Sequence, residues 1–360
     1  MPLFNAGASR RAIHAARLTA ANDLVQRTLA RHGLAPPPDG QAPQDLTSMP
    51  SLGDMLAGFS GPAGHTGAPP ADLPEGASFR SDTFTCAAGS RRFCTYVPAS
   101  AATGASAVVM MLHGCTQTPE DFAVGTGMNA LAETHGFVVV YPAQSRGDNA
   151  QSCWNWFSRG DQRRGRGEPA ILAGLAQQVC ERYGVGRDRS FVAGLSAGAA
   201  MAVILGETYP DVFAGVGAHS GLPLGAASDV PSAFAAMAGN GQEGPVPVAG
   251  GARVRTILFH GTADGTVHPA NADAIARRAR QAQLPQSIER TLAGTAGGRR
   301  FTRVLSSDAD DTVVVEHWSV EGQAHAWSGG QPGGSHVDPG GPDASAEMIR
   351  FFLEIPEKDA

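Results

Sequence analysis

A serine sits at the centre of the five residues Gly194-Leu195-Ser196-Ala197-Gly198, between a short apolar run and a stretch of small residues. This spacing, Gly-x-Ser-x-Gly, fits a sharp turn from a strand into a helix, with the serine at its tip. Residues 190–193 read as the strand, and residues 197–207, rich in Ala, Met, Ile and Leu, read as the helix. Side chains at 194 and 198 would collide with the neighbouring strand or helix, so both positions call for glycine. Leu195 is expected to point back into the sheet. Ser196 is expected to hold a strained backbone and an exposed hydroxyl. The same five residues also suit a plain tight turn in another α/β protein, with Ser196 capping a helix.

The rest of the chain supplies the layers such a turn needs. Residues 77–84 and 91–97 alternate like an antiparallel hairpin. Residues 107–112 form a continuous apolar run, as in a strand buried on both faces. Further strands are expected at 137–141, 190–194, 212–218, 254–260 and 313–320. Helices are expected at 121–134, 168–183, 197–207, 271–281 and 344–352. The alternation predicts an α/β fold over residues 76–356, a mostly parallel sheet with helices on both faces. Ahead of it, residues 1–35 hold an amphipathic helix over 11–33, which stops at Gly33 before Pro36-Pro37-Pro38. Residues 36–75 read as a Pro/Gly-rich linker.

Composition excludes some partners. Of the 360 residues 42% are hydrophobic, enough for a large core. The net charge of −6 is spread over interspersed acidic and basic residues, with no basic groove for nucleic acid. No apolar stretch approaches membrane-spanning length. Arg10, Arg11 and Arg17 are not followed by a continuous apolar segment, which favours the cytoplasm, with secreted or periplasmic placement as the alternative. Oligomeric state is not readable. None of the five cysteines forms a C-x-x-C pair, and zinc-site spacing is absent. Cys86 and Cys94 flank a hairpin turn and are candidates for a disulfide.

A serine hydroxyl needs a base, and the base needs a group that holds its tautomer and stabilises its charged form. Around this type of turn the order along the chain is Ser, Asp, His. His325 follows the last strand in a small-residue loop, at the carboxyl end of the sheet where chemistry should gather. His219 is the rival base, but it precedes every candidate acid, and His260 reads as structural. Asp264 follows the strand at 254–260. Asp308, Asp310 and Asp311 precede a strand and should lie at the wrong end. Two backbone N–H groups must face the developing oxyanion. Ala197, next to Ser196, and Cys115, on the turn His113-Gly114-Cys115-Thr116-Gln117, are the candidates. His113 is then a supporting residue. The Cys115 thiol is free to bond to Cys153. Trp154, Trp156 and Trp327 fall in loops on the same face, where Trp154, Trp327 and Gln117 are expected to meet substrate.

Taken with Cys153-Trp154-Asn155-Trp156-Phe157, residues 322–330 and the tail at 338–344, these motifs make residues 75–354 resemble the polyhydroxybutyrate depolymerase-like esterases of the α/β-hydrolase superfamily. Feruloyl and acetylxylan esterases are relatives of that family. The resemblance implies an α/β-hydrolase fold and hydrolysis of carboxylic esters without metal or organic cofactor. It implies Ser196 as nucleophile, Asp264 as acid, His325 as base, the Cys115 and Ala197 amides as oxyanion donors, and Trp154 and Trp327 near the ester. The expected substrates are short-chain 3-hydroxyalkanoate esters, small, oligomeric or polymeric. The alternative is a feruloyl or acetylxylan ester. A non-enzymatic alternative is a partner- or granule-binding scaffold that uses residues 11–33.

Overall fold

Strand alternation at the start of the core produces a hairpin, β1 (Ser78–Cys86) and β2 (Gly89–Val97), joined by the two residues Ala87 and Ala88. The computed structural model of the protein describes residues 73–242, 244, 252–283 and 287–354. The expected amino-terminal helix, and all but the last three residues of the expected linker, lie outside the described residues. Along the chain follow β3 (Val108–Leu112), α1 (Pro119–Thr126), α2 (Met128–His135), β4 (Val138–Pro142), α3 (Gly167–Tyr183), β5 (Ser190–Leu195) and α4 (Ala197–Thr208). Then come β6 (Gly215–His219), α5 (Val230–Ala235), β7 (Arg255–Gly261), α6 (Ala270–Gln283), β8 (Ile288–Ala296) and β9 (Arg299–Ser307). The chain closes with β10 (Val313–Val320), the two-residue strands β11 (Trp327–Ser328) and β12 (Val337–Asp338), and α7 (Ala344–Leu353).

Among the described residues the main sheet has ten strands in the order β1-β2-β4-β3-β5-β6-β7-β10-β9-β8. The six from β4 to β10 are parallel, and an antiparallel hairpin flanks them on each side. On β3, Val108, Met110 and Leu112 pack into one apolar cluster with Leu172 and Leu175 of α3, Met201 of α4 and Ile275 of α6. Val109 and Met111 pack into the other with Phe122 of α1, Met128 of α2 and Met348 of α7. Successive side chains take opposite faces, so a strand covered on both sides reads as an unbroken apolar run.

Two elements depart from the expectation. The single helix expected over 121–134 is two helices, because Gly127 takes a left-handed conformation (φ 63°) and its N–H turns back to Val124 O. The β8–β9 hairpin was not anticipated. Every β8 residue is exposed or half-buried, so no apolar alternation marks that strand.

Candidate active site

The chain leaves β3 for β4 on one side and pairs β5 on the other. In open α/β sheets, the crevice at such a switch lies beyond the carboxyl ends of the strands. The Cys115 turn follows β3 there and Ser196 follows β5, with Leu112 opposite Gly194. The neighbouring strands end level with them, Leu195 pairing His219 and His219 pairing Phe259.

Ser196 has φ 58° and ψ −118°, a costly conformation that persists only where the surroundings impose it. Its N–H donates to His219 O at 2.9 Å. A Cβ added to Gly194 would lie 2.5 Å from the Gly198 carbonyl carbon and 2.7 Å from Leu112 O. One added to Gly198 would strike the Leu112 and His113 carbonyl oxygens. The glycines let helix α4 start directly against the end of β3. Ala197 is the first residue of α4, so its N–H has no partner within the helix and lies at the positive end of the helix dipole.

Strain gathers at this end of the sheet. Among the described residues seven non-glycine residues have positive φ. Thr116 and Ser152 adjoin Cys115 and Cys153, Ser196 and Ser220 follow β5 and β6, and His336 accepts the Trp327 N–H through its carbonyl. A disulfide joins Cys115 to Cys153. Gly114 N–H donates to Gln117 Oε1 at 2.9 Å, and Thr116 N–H to Gln151 O at 2.8 Å. The Cys115 amide between them has no protein acceptor among the described residues. His113 supports the turn. Its Nδ1–H donates to Gly114 O and its Nε2 accepts from Gln144 N–H, which makes it neutral, and burial pushes its pKa down to about 4.

Asp264 is buried. Its Oδ1 accepts the Thr266 and Val267 N–H groups at 2.9 and 2.8 Å, and its Oδ2 takes His325 Nδ1–H at 2.8 Å. His260 Nε2 lies 3.4 Å from the same Oδ2. Burial alone would raise this carboxyl's pKa. The close approach of the His260 imidazole, the hydrogen bond from His325 and that from the Val267 amide outweigh it and hold the group well below the usual carboxylate range. The loops of acid and imidazole are stitched together from strand end to strand end. Thr262 N–H donates to Val320 O at 2.9 Å, Ala263 N–H to Gln323 O at 3.1 Å, and Gly322 N–H to Thr262 Oγ1 at 2.9 Å. A Cβ at Gly261 would run into the Gln323 backbone, so glycine permits that approach. The third contact is not closed: Ser196 Oγ and His325 Nε2 share no hydrogen bond among the described residues. In unliganded sites such bonds are often long and tighten with substrate.

The rival His219 is fully buried between the rings of Phe259 and Trp327, and its Nε2 accepts Ser328 N–H at 3.0 Å. Burial drives its pKa down to about 3, so it stays neutral and its acceptor nitrogen is engaged. Asp308 holds Arg253 just before β7, at the opposite end of the sheet.

The structure corrects four expectations. Trp154 and Trp327 are 0% and 1% exposed and offer no surface to a substrate. Each buried indole N–H needs an acceptor. Trp154 finds His113 O, behind the turn, and Trp327 finds Ser345 Oγ, both at 3.0 Å. Gln117 is also buried, with both ends of its amide bonded to protein. Cys86 and Cys94 are free thiols. The two-residue turn pairs Cys86 with Gly89, and Cys94 lies five residues further along, opposite Ser81. That is about 16 Å along the strand and on the other face of the sheet.

Sequence reasoning missed two buried carboxyls. Asp121 joins Gln117 to Ser335. Glu168, in the first turn of α3, accepts Asn155 N–H at 2.8 Å and Asn155 Nδ2 at 3.0 Å, pinning the loop that carries Cys153 and Trp154. Burial raises its pKa to about 7. Nothing local in the sequence distinguishes either from a solvated helix-start acid. No cluster of three or more His, Cys, Asp or Glu among the described residues could hold a metal ion.

Residues 91–303 match the sequence model of the family described as esterase PHB depolymerase. This chain belongs to that family. Poly(3-hydroxyalkanoate) depolymerase C of Paucimonas lemoignei is 34% identical over 280 residues, which cover 74% of this chain and 64% of that protein. Acetylxylan esterase A of Aspergillus oryzae is 30% identical over 192 residues, 49% of this chain and 61% of that one. The chain thus matches less than two thirds of the length of either relative. An acetyl xylan esterase structure from Aspergillus awamori superposes with a TM-score of 0.59 at 20% identity, covering 77% of this chain and 98% of that one. The likeness identifies the fold as that of the α/β-hydrolases. No helix among the described residues is long and apolar enough to cross a membrane.

Proposed function

We propose that this chain is a serine carboxylic ester hydrolase acting on short-chain 3-hydroxyalkanoate esters, as oligomers or polymer. The observation that carries the reading is the 2.8 Å bond from His325 Nδ1 to the buried Asp264 carboxylate, at the sheet end that holds the strained Ser196 turn. With Nδ1–H engaged by Asp264, Nε2 carries the imidazole lone pair. It takes the Ser196 proton as Oγ bonds to the ester carbonyl carbon. The carbonyl oxygen becomes an oxyanion held by the Cys115 and Ala197 amides, and Asp264 stabilises the imidazolium. His325 then gives its proton to the departing alcohol oxygen as the acyl–oxygen bond breaks. Water repeats the sequence on the acyl-enzyme, with His325 again as base.

The substrate class is supported by the depolymerase relative, which aligns with 74% of the chain, against 49% for the acetylxylan esterase. Acetylated or feruloylated polysaccharide is the second reading, favoured by the acetylxylan esterase relatives. The test compares hydrolysis of 3-hydroxybutyrate oligomers, acetylated xylan and methyl ferulate, with Ser196→Ala as control. Turnover of the oligomers alone, abolished in Ser196→Ala, is the expected result. Preference for acetylated xylan or methyl ferulate overturns the substrate assignment, and turnover by Ser196→Ala overturns the mechanism.

A further inference from the structure

The turn that carries the Cys115 amide is tied to the loop beyond His325 by one buried carboxylate, Asp121. We infer that Asp121 is a positioning residue for the oxyanion site, an inference that rests on the ester-hydrolase reading above. Asp121 lies in the first turn of α1 and is 3% exposed. Its Oδ1 accepts Ser335 N–H at 2.9 Å. Its Oδ2 accepts Ser335 Oγ–H at 2.6 Å and Gln117 Nε2–H at 2.9 Å. Gln117 Nε2 also lies 3.1 Å from Ser335 O and 3.3 Å from Ser335 Oγ, and Gln117 Oε1 takes Gly114 N–H at 2.9 Å. Beyond Ser335, the His336 carbonyl accepts the N–H of Trp327, two residues past His325.

Donors and acceptors allow only one arrangement. A backbone N–H can only donate, so Gly114 requires the oxygen of Gln117, and the Gln117 amino group must face Asp121. Ser335 N–H is a second fixed donor on the other side. Position 121 must therefore accept on both oxygens, which a carboxylate does and an amide cannot. Asparagine there would leave a donor facing a donor in either orientation, and relief would come by moving the 114–117 turn or the 335 loop. The Cys115 amide follows Gly114 directly, so it moves with the turn. Misplacing an oxyanion donor affects the transition state more than the bound substrate.

The test uses the full chain and p-nitrophenyl butyrate. It also uses a trifluoromethyl ketone, whose adduct with a catalytic serine carries the oxyanion that the two amides are proposed to hold. Asp121→Asn is expected to lower kcat roughly 10- to 100-fold, to leave KM within about threefold, and to weaken the ketone by the same factor as kcat. Should Asp121→Asn fail to fold, Ser335→Ala removes one donor and keeps every backbone group, and a fall in kcat with KM held is the expected result. Wild-type kcat in a folded Asp121→Asn, or a loss confined to KM or thermal stability with the ketone unaffected, overturns the inference. Ser196→Ala separates the two readings. If it keeps turnover, the hydrolase reading fails. If it is inactive while Asp121→Asn matches wild type, only the role of Asp121 fails.

Discussion

Replacing Asp264 with asparagine should nearly abolish turnover while leaving the fold in place, and the structure dictates why. The Thr266 and Val267 N–H groups donate to Oδ1 at 2.9 and 2.8 Å, so in the variant the amide oxygen must occupy that position. The amino group then takes the place of Oδ2, 2.8 Å from His325 Nδ1. Two donors cannot face each other there, so His325 gives up its Nδ1 proton and carries it on Nε2. That tautomer cannot accept a proton from Ser196, and no carboxylate remains to stabilise an imidazolium. Breaking this relation in an acyl-transfer triad costs about 10⁴ in kcat, or about 5 kcal/mol of barrier. Steady-state hydrolysis of p-nitrophenyl butyrate gives kcat, and thermal unfolding reports the fold. Fluorophosphonate labelling of Ser196 should slow in parallel with kcat. A folded Asp264→Asn variant within tenfold of wild type would refute the argument, because it would mean that His325 does not depend on this carboxylate.

Three further outcomes follow from the geometry. Gly261→Ala drives a methyl group into the Gln323 backbone. It should cost about 1–3 kcal/mol of stability by overpacking and lower kcat by roughly 10- to 100-fold by parting the loops of Asp264 and His325, as unfolding and kinetic measurements would show. His113 and His219 are neutral when folded, with pKa values lowered to about 4 and about 3 from 6.5. Below pH 6.5 the unfolded chain binds more protons at both, so their stabilisation is present above that pH and lost as pH falls. At pH 5 the loss is about 2 kcal/mol apiece. Urea unfolding at pH 7 and pH 5 measures it, and an unchanged slope in a His113→Gln, His219→Gln variant would count against it. Reducing the Cys115–Cys153 bond, which closes a loop with a sequence separation of 38, should cost about 3–4 kcal/mol on the chain-entropy model. A melting temperature indifferent to dithiothreitol would contradict that.

Much of the fold is legible locally. Gly194 and Gly198 mark the Ser196 turn because no Cβ fits beside the end of β3. The run at 108–112 marks a central strand because both its faces are covered. The β8–β9 hairpin is not legible because no residue of its outer strand is fully buried, and the α1–α2 break is not because a lone Gly127 inside a helical pattern does not announce a left-handed turn. Trp154 and Trp327 misled for a related reason. Their loops do lie beyond the carboxyl ends of the strands, but a loop position does not tell whether an indole faces solvent or fills the space beneath.

The residues of the candidate site divide in the same way. Ser196 and the order Ser, Asp, His are read from short motifs, since each depends on the backbone of a few adjacent residues. The meeting of Asp264 with His325, 61 positions apart, depends on β10 settling beside β7 and on Gly261 admitting the Gln323 backbone. Asp121 gains its two bonds from Ser335 only when the loop at 331–338 folds over α1. Local conformation is set by neighbours along the chain and is written in order. The pairing of buried polar groups is set by which strands and loops come to lie together, and only the packed sheet decides that.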